Sequence, residues 1–189
     1  SEVAGLTGEL HLLNTPASRI AGLHGKLYQR CYSFGGMNWH EEDTWVASRI
    51  GASTCQIQEV SGEVDVEVGQ VDLELCEVTG QVAVMNRYGR TRLVHRQPPG
   101  ASRYRLESVS GPLEVALAAE LLPQIRLAAV TLCGTVDHKA LAEVEEDTTN
   151  SMQLAALATR PDACPEYPLT EADVFLRTEC GPVRIERLD

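Results

Sequence analysis

A short unit centred on glycine recurs along the chain and constrains its fold more than any other feature. Seven glycines share it, namely Gly8, Gly25, Gly62, Gly80, Gly111, Gly134 and Gly181. The residue two positions after the glycine is apolar in all seven units, and the residue four positions after it is apolar in five. Because alternate side chains of a strand share one face, this spacing predicts a half-buried β-strand beginning at each glycine.

A second apolar pair precedes the glycine in several units. These pairs are Leu73 and Leu75, Tyr104 and Leu106, Ile125 and Leu127, and Val174 and Leu176. Each unit thus predicts a strand, a bend at glycine and a second strand, which is how the rungs of a β-helix are built. We predict an all-β fold, a single-stranded β-helix or β-solenoid-like stack with irregular rungs. The alternative is a β-sandwich whose strands begin after turn glycines.

The length of 189 residues favours one domain, spanning 1–189. Intervals between the seven glycines range from 17 to 47 residues, which indicates rungs interrupted by insertions and one unrecognised rung between Gly25 and Gly62. The longest insertion, near 139–169, is acidic. Within it the runs KALAEVEE and SMQLAALATR are candidate helices.

The charge of the chain excludes some partners. With 27 acidic against 16 basic residues the net charge is −11, so phosphate backbones are repelled and nucleic acid is not an expected partner. The sequence contains no run of about 18 apolar residues, which argues against membrane insertion. The chain is expected to be soluble. The compartment stays unknown, with the cytoplasm favoured because the sequence shows neither a secretory signal nor a disulfide framework.

Six cysteines, without any C-x-x-C pair, favour free thiols that act as small buried hydrophobic residues. Cys133 and Cys180 both stand directly before a unit glycine. Equal positions in two rungs permit a disulfide or a paired thiol site, so this pairing stays open.

The segment from Ile57 to His138 contains EVSGEVDVEV, EVTGQVAVMNRYGRTRLV, YRLESVSGPLEVAL and VTLCGTVDH. It resembles an adhesin family of unknown function, a β-helical family of strands punctuated by glycine, over about half the chain. The resemblance implies a fold and brings no catalytic residues with it. Bactofilin-like cytoskeletal β-helices share the Gly-x-Val rhythm, but their spacing is more regular.

Chemical motifs are few. The sequence has no P-loop, dinucleotide fingerprint or paired-cysteine ligand set, so no catalytic, cofactor-binding or metal-binding residue is predicted, and no cofactor. His40, Glu41, Glu42 and Asp43 are adjacent in one loop, where a solvated acidic loop is favoured over a cation site.

Two groups of residues form a predicted interaction surface. Arg87, Arg90, Arg92 and His95 belong to the one locally basic segment of the chain and suit an acidic partner, including a second copy of the protein. In the first unit, Leu10 and Leu12 lie close together with few charges beside them. The last unit, with Pro182, Arg184 and Glu186, is predicted to protect the other end of the stack.

These features predict a non-enzymatic scaffold or protein-interaction domain, adhesin-like, that binds a protein partner or self-associates as a homodimer through its amino-terminal rung. Enzyme activity is left uncertain. The alternative function is a β-helix hydrolase or carbohydrate-active enzyme that gathers carboxylates from several rungs.

Overall fold

A computed structural model describes residues 2–13, 19–31, 53–98, 100–122, 125–137, 145–147, 153–157 and 173–188. These residues form strands, turns and connecting segments, with no α-helix among them. In chain order the strands are β1 Glu2–Ala4, β2 Thr7–Leu13, β3 Arg19–Ala21, β4 His24–Cys31, β5 Ser53–Gln58, β6 Ser61–Val68, β7 Val71–Cys76, β8 Thr79–Asn86, β9 Thr91–His95, β10 Arg103–Ser108, β11 Leu113–Ala118, β12 Leu127–Thr131, β13 Val136–Asp137, β14 Glu145–Asp147, β15 Gln153–Leu157, β16 Val174–Thr178 and β17 Val183–Leu188.

The strands form two sheets, and the chain alternates between them from β1 to β13. The first sheet has the order β1-β3-β5-β7-β9-β11-β17-β13, and the second has the order β14-β15-β12-β16-β10-β8-β6-β4-β2. Neighbouring strands are parallel in both sheets, except that β15 pairs antiparallel with β12 and β14. The all-β prediction is confirmed.

The core lies between the two sheets and is built by the alternating apolar residues. The residues predicted to point inward are buried in one cluster with 0–3% exposure; they are Val64, Val66, Val82, Val84, Leu113 and Val115. The first four lie on the second sheet and the last two on the first sheet. Side chains from both sheets therefore meet across one hydrophobic layer.

The seven unit glycines occupy two different corners of the fold. The first corner leads from the first sheet into the second and contains Gly8, Gly25, Gly62 and Gly80, which pair in register with φ from 109° to 142°. Three residues earlier the backbone is again left-handed, at Gly5, Gly22, Glu59 and Glu77. In the next rung Ser102 lies beside this column, and its hydroxyl accepts a hydrogen bond from the Gly80 N–H at 2.8 Å.

The second corner leads from the second sheet into the first and contains Gly111, Gly134 and Gly181, together with Gly89. None of these four glycines has a positive φ. Instead, a polar side chain three residues earlier accepts a hydrogen bond from each glycine N–H at 2.8–3.2 Å. The acceptors are Asn86, Ser108, Thr131 and Thr178. All four acceptors are buried, and at Gly89, Gly111 and Gly181 each satisfies a buried backbone N–H.

The predicted extra rung between Gly25 and Gly62 is wrong. β4 pairs directly with β6, and β3 pairs directly with β5, so no rung separates them. The long interval contains β5 and residues 32–52, and residues 32–52 lie outside the described part of the chain.

The last unit of the sequence does not form the last strand of either sheet. β16 lies between β10 and β12, and β17 lies between β11 and β13. The prediction that this unit protects an edge is therefore wrong. Arg184 and Glu186 are on an interior strand, and Glu186 forms an ion pair with Arg92 at 3.4 Å.

The insertion near 139–169 was predicted to be helical, and its described residues are strands. β15 pairs antiparallel with β12, with Leu127 opposite Leu157, and β14 pairs with β15. The unpaired backbone groups of an edge strand offer hydrogen bonds to an apolar segment such as QLAAL, and this tertiary pairing overrides helix propensity. The rest of the insertion, like the loop with His40, Glu41, Glu42 and Asp43, lies outside the described residues.

Cys133 and Cys180 form a disulfide, with Cα atoms 4.8 Å apart, between neighbouring rungs at the second corner. The preference for free thiols is wrong for this pair, whereas Cys76 is a free thiol. Since disulfides persist in oxidising compartments, the bridge removes one of the two grounds for favouring the cytoplasm.

Candidate interaction surface

The predicted basic segment does not form one basic patch. Arg87 contacts Glu67 at 3.5 Å, and Arg90 contacts Glu114 at 3.0 Å. Arg92 stands on the outer face of the first sheet, beside Glu114, with its guanidinium 3.4 Å from Glu186. Each arginine is thus balanced by a carboxylate from another strand, and partly exposed surface pairs of this kind contribute little to stability or binding.

His95 is 1% exposed and belongs to the interior rather than to a surface, so this part of the prediction is wrong. Its Nδ1 lies 3.3 Å from a Glu77 carboxylate oxygen, and its Nε2 lies 2.9 Å from the Tyr104 hydroxyl. The Tyr104 hydroxyl also donates to the Val78 carbonyl at 2.7 Å. Burial lowers the pKa of His95, with Glu77 opposing that shift, and burial raises the pKa of Tyr104.

Leu10 and Leu12 are half-buried and pack against the core. Their strand, β2, pairs with β4 on one side and is the last strand of the second sheet in the described chain. They therefore point into the fold beside the last described strand of the second sheet, where Leu6 accompanies them.

A groove that the sequence did not predict lies on the outer face of the second sheet. It follows β8 between β6 and β10 and has a volume of about 510 Å³. Glu63 and Asp65 of β6 form one wall, and Arg103 and Arg105 of β10 form the other. The small side chain of Ala83 lies between them, and Gln81 and Phe175 also line the groove.

The groove coincides with a gap in the ion pairs that link neighbouring strands. Lys26 bridges Glu9 and Glu63 at 3.8 and 3.4 Å, and Arg30 contacts Asp65 and Glu67 at 2.7 and 2.6 Å. On β8 the residues in line with these charges are the uncharged Gln81 and Ala83. Gln81 is opposite Arg103 and Ala83 is opposite Arg105, so neither arginine has a carboxylate beside it on β8.

The arginine wall carries more positive than negative charge. Arg105 and Arg177 both contact Glu107, at 3.0 and 3.7 Å, so one carboxylate serves two guanidinium groups. Arg103 is exposed, and no carboxylate of the described residues lies within ion-pair distance of it. A locally positive surface thus exists on a protein whose net charge is −11.

One signal in the sequence would have located this wall. Arg103 and Arg105 alternate with Tyr104 and Leu106, which were predicted to face inward, so both arginines had to face outward on the same strand. The same alternation puts Phe175, between Val174 and Leu176, on the outer face, but its place beside this wall depends on the pairing of β16 with β10.

The described residues contain neither a metal-ligand cluster nor a membrane-spanning helix. No three His, Cys, Asp or Glu side chains among them gather as metal ligands. The described part of the chain contains no apolar helix of membrane-spanning length.

Comparisons with protein-family models, with curated proteins and with solved structures found no match to this chain. The class that the fold defines is an all-β protein with two extensive, mainly parallel sheets around one core.

Proposed function

We propose that the protein is a non-enzymatic β-solenoid, adhesin-like in its architecture, that serves as a scaffold or interaction domain. The observation that carries this proposal is the unbroken parallel register of the second sheet from β2 to β16. Stacked rungs of this kind present a long, rigid outer face on which side chains of distant segments stand side by side. The groove on β8 lies on that face.

The arrangement of acidic residues favours binding over turnover. Glycoside hydrolysis ordinarily requires two carboxyl groups on opposite sides of the scissile bond. In the groove, Glu63 and Asp65 stand on the same strand, and arginines occupy the opposite wall. Asp65 is also paired with Arg30 at 2.7 Å. The network of Glu77, His95 and Tyr104 offers no alternative, because His95 and Tyr104 are only 1–2% exposed.

A screen against glycan and ester substrates tests the proposal. We expect no turnover by the purified chain. Turnover that the Asp65→Asn variant abolishes, while the Asp137→Asn variant on the first sheet retains it, would contradict a non-enzymatic role and support the hydrolase alternative.

For the partner, we propose a second copy of the chain at the end formed by β1 and β2. The apolar residues Leu6, Leu10 and Leu12 are only half-buried there, and the two strands have free backbone groups along one edge in the described chain. Light scattering over a range of concentrations should show a dimer. Leu12→Lys should shift it to monomer, whereas His11→Lys, which adds the same charge on the exposed outer face, should not. An unchanged mass for Leu12→Lys rules out this interface.

A further inference from the structure

We infer that the groove along β8 binds a sugar bearing a carboxylate, such as a uronic acid unit of a glycan. This inference rests on the proposed function of the protein as a binding scaffold, and it names the ligand class of that scaffold's outer face. It is carried by the gap in the ion pairs over β8 and by the chemistry of the two walls.

The arginine wall supplies the carboxylate-binding groups. Arg103 and Arg105 project from alternate positions of β10, so their guanidinium groups stand on the same side of the groove. A guanidinium donates two parallel hydrogen bonds to a carboxylate and is the side chain best suited to that group. Arg103 has no competing ion pair in the described chain, and Arg105 shares Glu107 with Arg177. Positive charge therefore remains for a ligand.

The acidic wall suits hydroxyl groups. Glu63 and Asp65 accept hydrogen bonds, and the Gln81 amide between the walls both donates and accepts. The two walls are separated by two strand spacings, about 10 Å, which leaves room for one row of sugar rings above Ala83. A ligand carboxylate beside β10 and ligand hydroxyl groups beside β6 would fill the gap in the ion pairs over β8. Phe175, next to Arg105 on the side away from Ala83, adds an apolar surface at that edge of the groove.

The floor of the groove favours a saccharide over an extended acidic peptide. It is the face of a sheet, and β8 is hydrogen-bonded to both β6 and β10. A peptide that adds to a sheet edge forms hydrogen bonds with free backbone groups of the edge strand. On this sheet face the backbone groups of a peptide would find no such partners. Sugar hydroxyls need only the side chains that line the groove.

Calorimetric titration with an oligomer of galacturonic acid tests the inference. We expect saturable binding that weakens as salt increases, because exposed charges are screened. The same oligomer with methyl-esterified carboxyl groups should bind about tenfold more weakly or not at all. Tenfold weaker binding corresponds to the loss of one charge-assisted hydrogen bond. Arg103→Gln should cause a similar loss. Arg184→Gln, an exposed arginine on the other sheet, is the matched control and should bind like the wild type.

The outcomes separate this inference from the proposed function. Absence of binding, equal binding of the esterified oligomer, or tighter binding of a penta-glutamate peptide would overturn the acidic sugar as the ligand and leave the scaffold proposal standing. Cleavage of the oligomer during the titration would instead overturn the non-enzymatic role.

Discussion

The two corners of the fold turn the chain between the same two sheets with different chemistry. At the first corner the backbone adopts unusual angles, with Gly62 at φ 125° and Glu59, three residues earlier, at φ 53°. At the second corner Gly181 has no positive φ, and the buried hydroxyl of Thr178 accepts its N–H at 2.8 Å. Neither corner has room for a side chain. An added Cβ at Gly62 would overlap with the Gly25 carbonyl oxygen, and one at Gly181 would overlap with the Gly111 carbonyl oxygen.

Alanine substitutions at the glycines should give the largest effects and separate conformation from space. Gly62→Ala adds both backbone strain and overlap with the Gly25 carbonyl, and we expect it to lower the free energy of unfolding by about 3 kcal/mol or more. At Gly8 the φ is also positive, but the added Cβ of Gly8→Ala would meet no atom within 4 Å. Gly181→Ala adds overlap with the Gly111 carbonyl without a positive φ. Both should be milder in denaturant unfolding. Equal losses for Gly62→Ala and Gly8→Ala would show that space does not matter at the first corner.

A Thr178→Val substitution probes the hydrogen bond of the second corner. The two side chains have the same shape, but valine leaves the buried Gly181 N–H without its acceptor, which should lower the free energy of unfolding by about 1–3 kcal/mol. The exposed Thr135→Val makes the same chemical change and should stay within about 0.5 kcal/mol of the wild type. If the two variants unfold at the same denaturant concentration, the hydrogen bond from the Gly181 N–H to Thr178 does not stabilise this corner.

Acid should weaken the first corner through His95, which contacts Glu77. Burial lowers the pKa of His95 in the folded state below its ordinary value of 6.5, so the unfolded chain takes up the proton first. Stability from this group is complete above pH 6.5 and is lost as the pH falls below that value. Unfolding measured from pH 7.5 to 5 should show this loss in the wild type and a smaller slope in His95→Gln. An unchanged slope would exclude His95 as its source.

The smallest expected effect is a gain at Glu59. A non-glycine residue in the left-handed region is strained, so Glu59→Gly should raise the free energy of unfolding by about 0.5–1 kcal/mol. Glu77 has φ 52° as well, but its carboxylate accepts the Arg96 N–H at 2.7 Å and contacts His95. Glu77→Gly should therefore bring no gain. Thermal unfolding of Glu59→Gly and Glu77→Gly measures the two changes in stability. A gain in stability for both variants would show that the Glu77 contacts are energetically neutral.

The candidate site was only partly predictable. The alternation of Thr91, Leu93 and His95 already placed His95 with the inward residues, but its basic neighbours suggested a surface role. It is tolerated inside because Tyr104 and Glu77 hydrogen-bond to its ring. The outward direction of Arg103 and Arg105 followed from the same alternation. That they face Gln81 and Ala83, and so leave a groove, depends on the register of β10 against β8.

The sequence by itself determined that the described fold is all-β and which face lies inside in the strands of the glycine units. Strand periodicity is a local property, and a register slip of one residue would expose every apolar side chain. Only the tertiary structure decided which corner each glycine serves, that β16 and β17 enter the stack before β12 and β13, and that Cys133 meets Cys180. The units carry nearly the same apolar alternation, so local pattern does not select a neighbour. That choice depends on non-local packing and on the fit of each rung against the next.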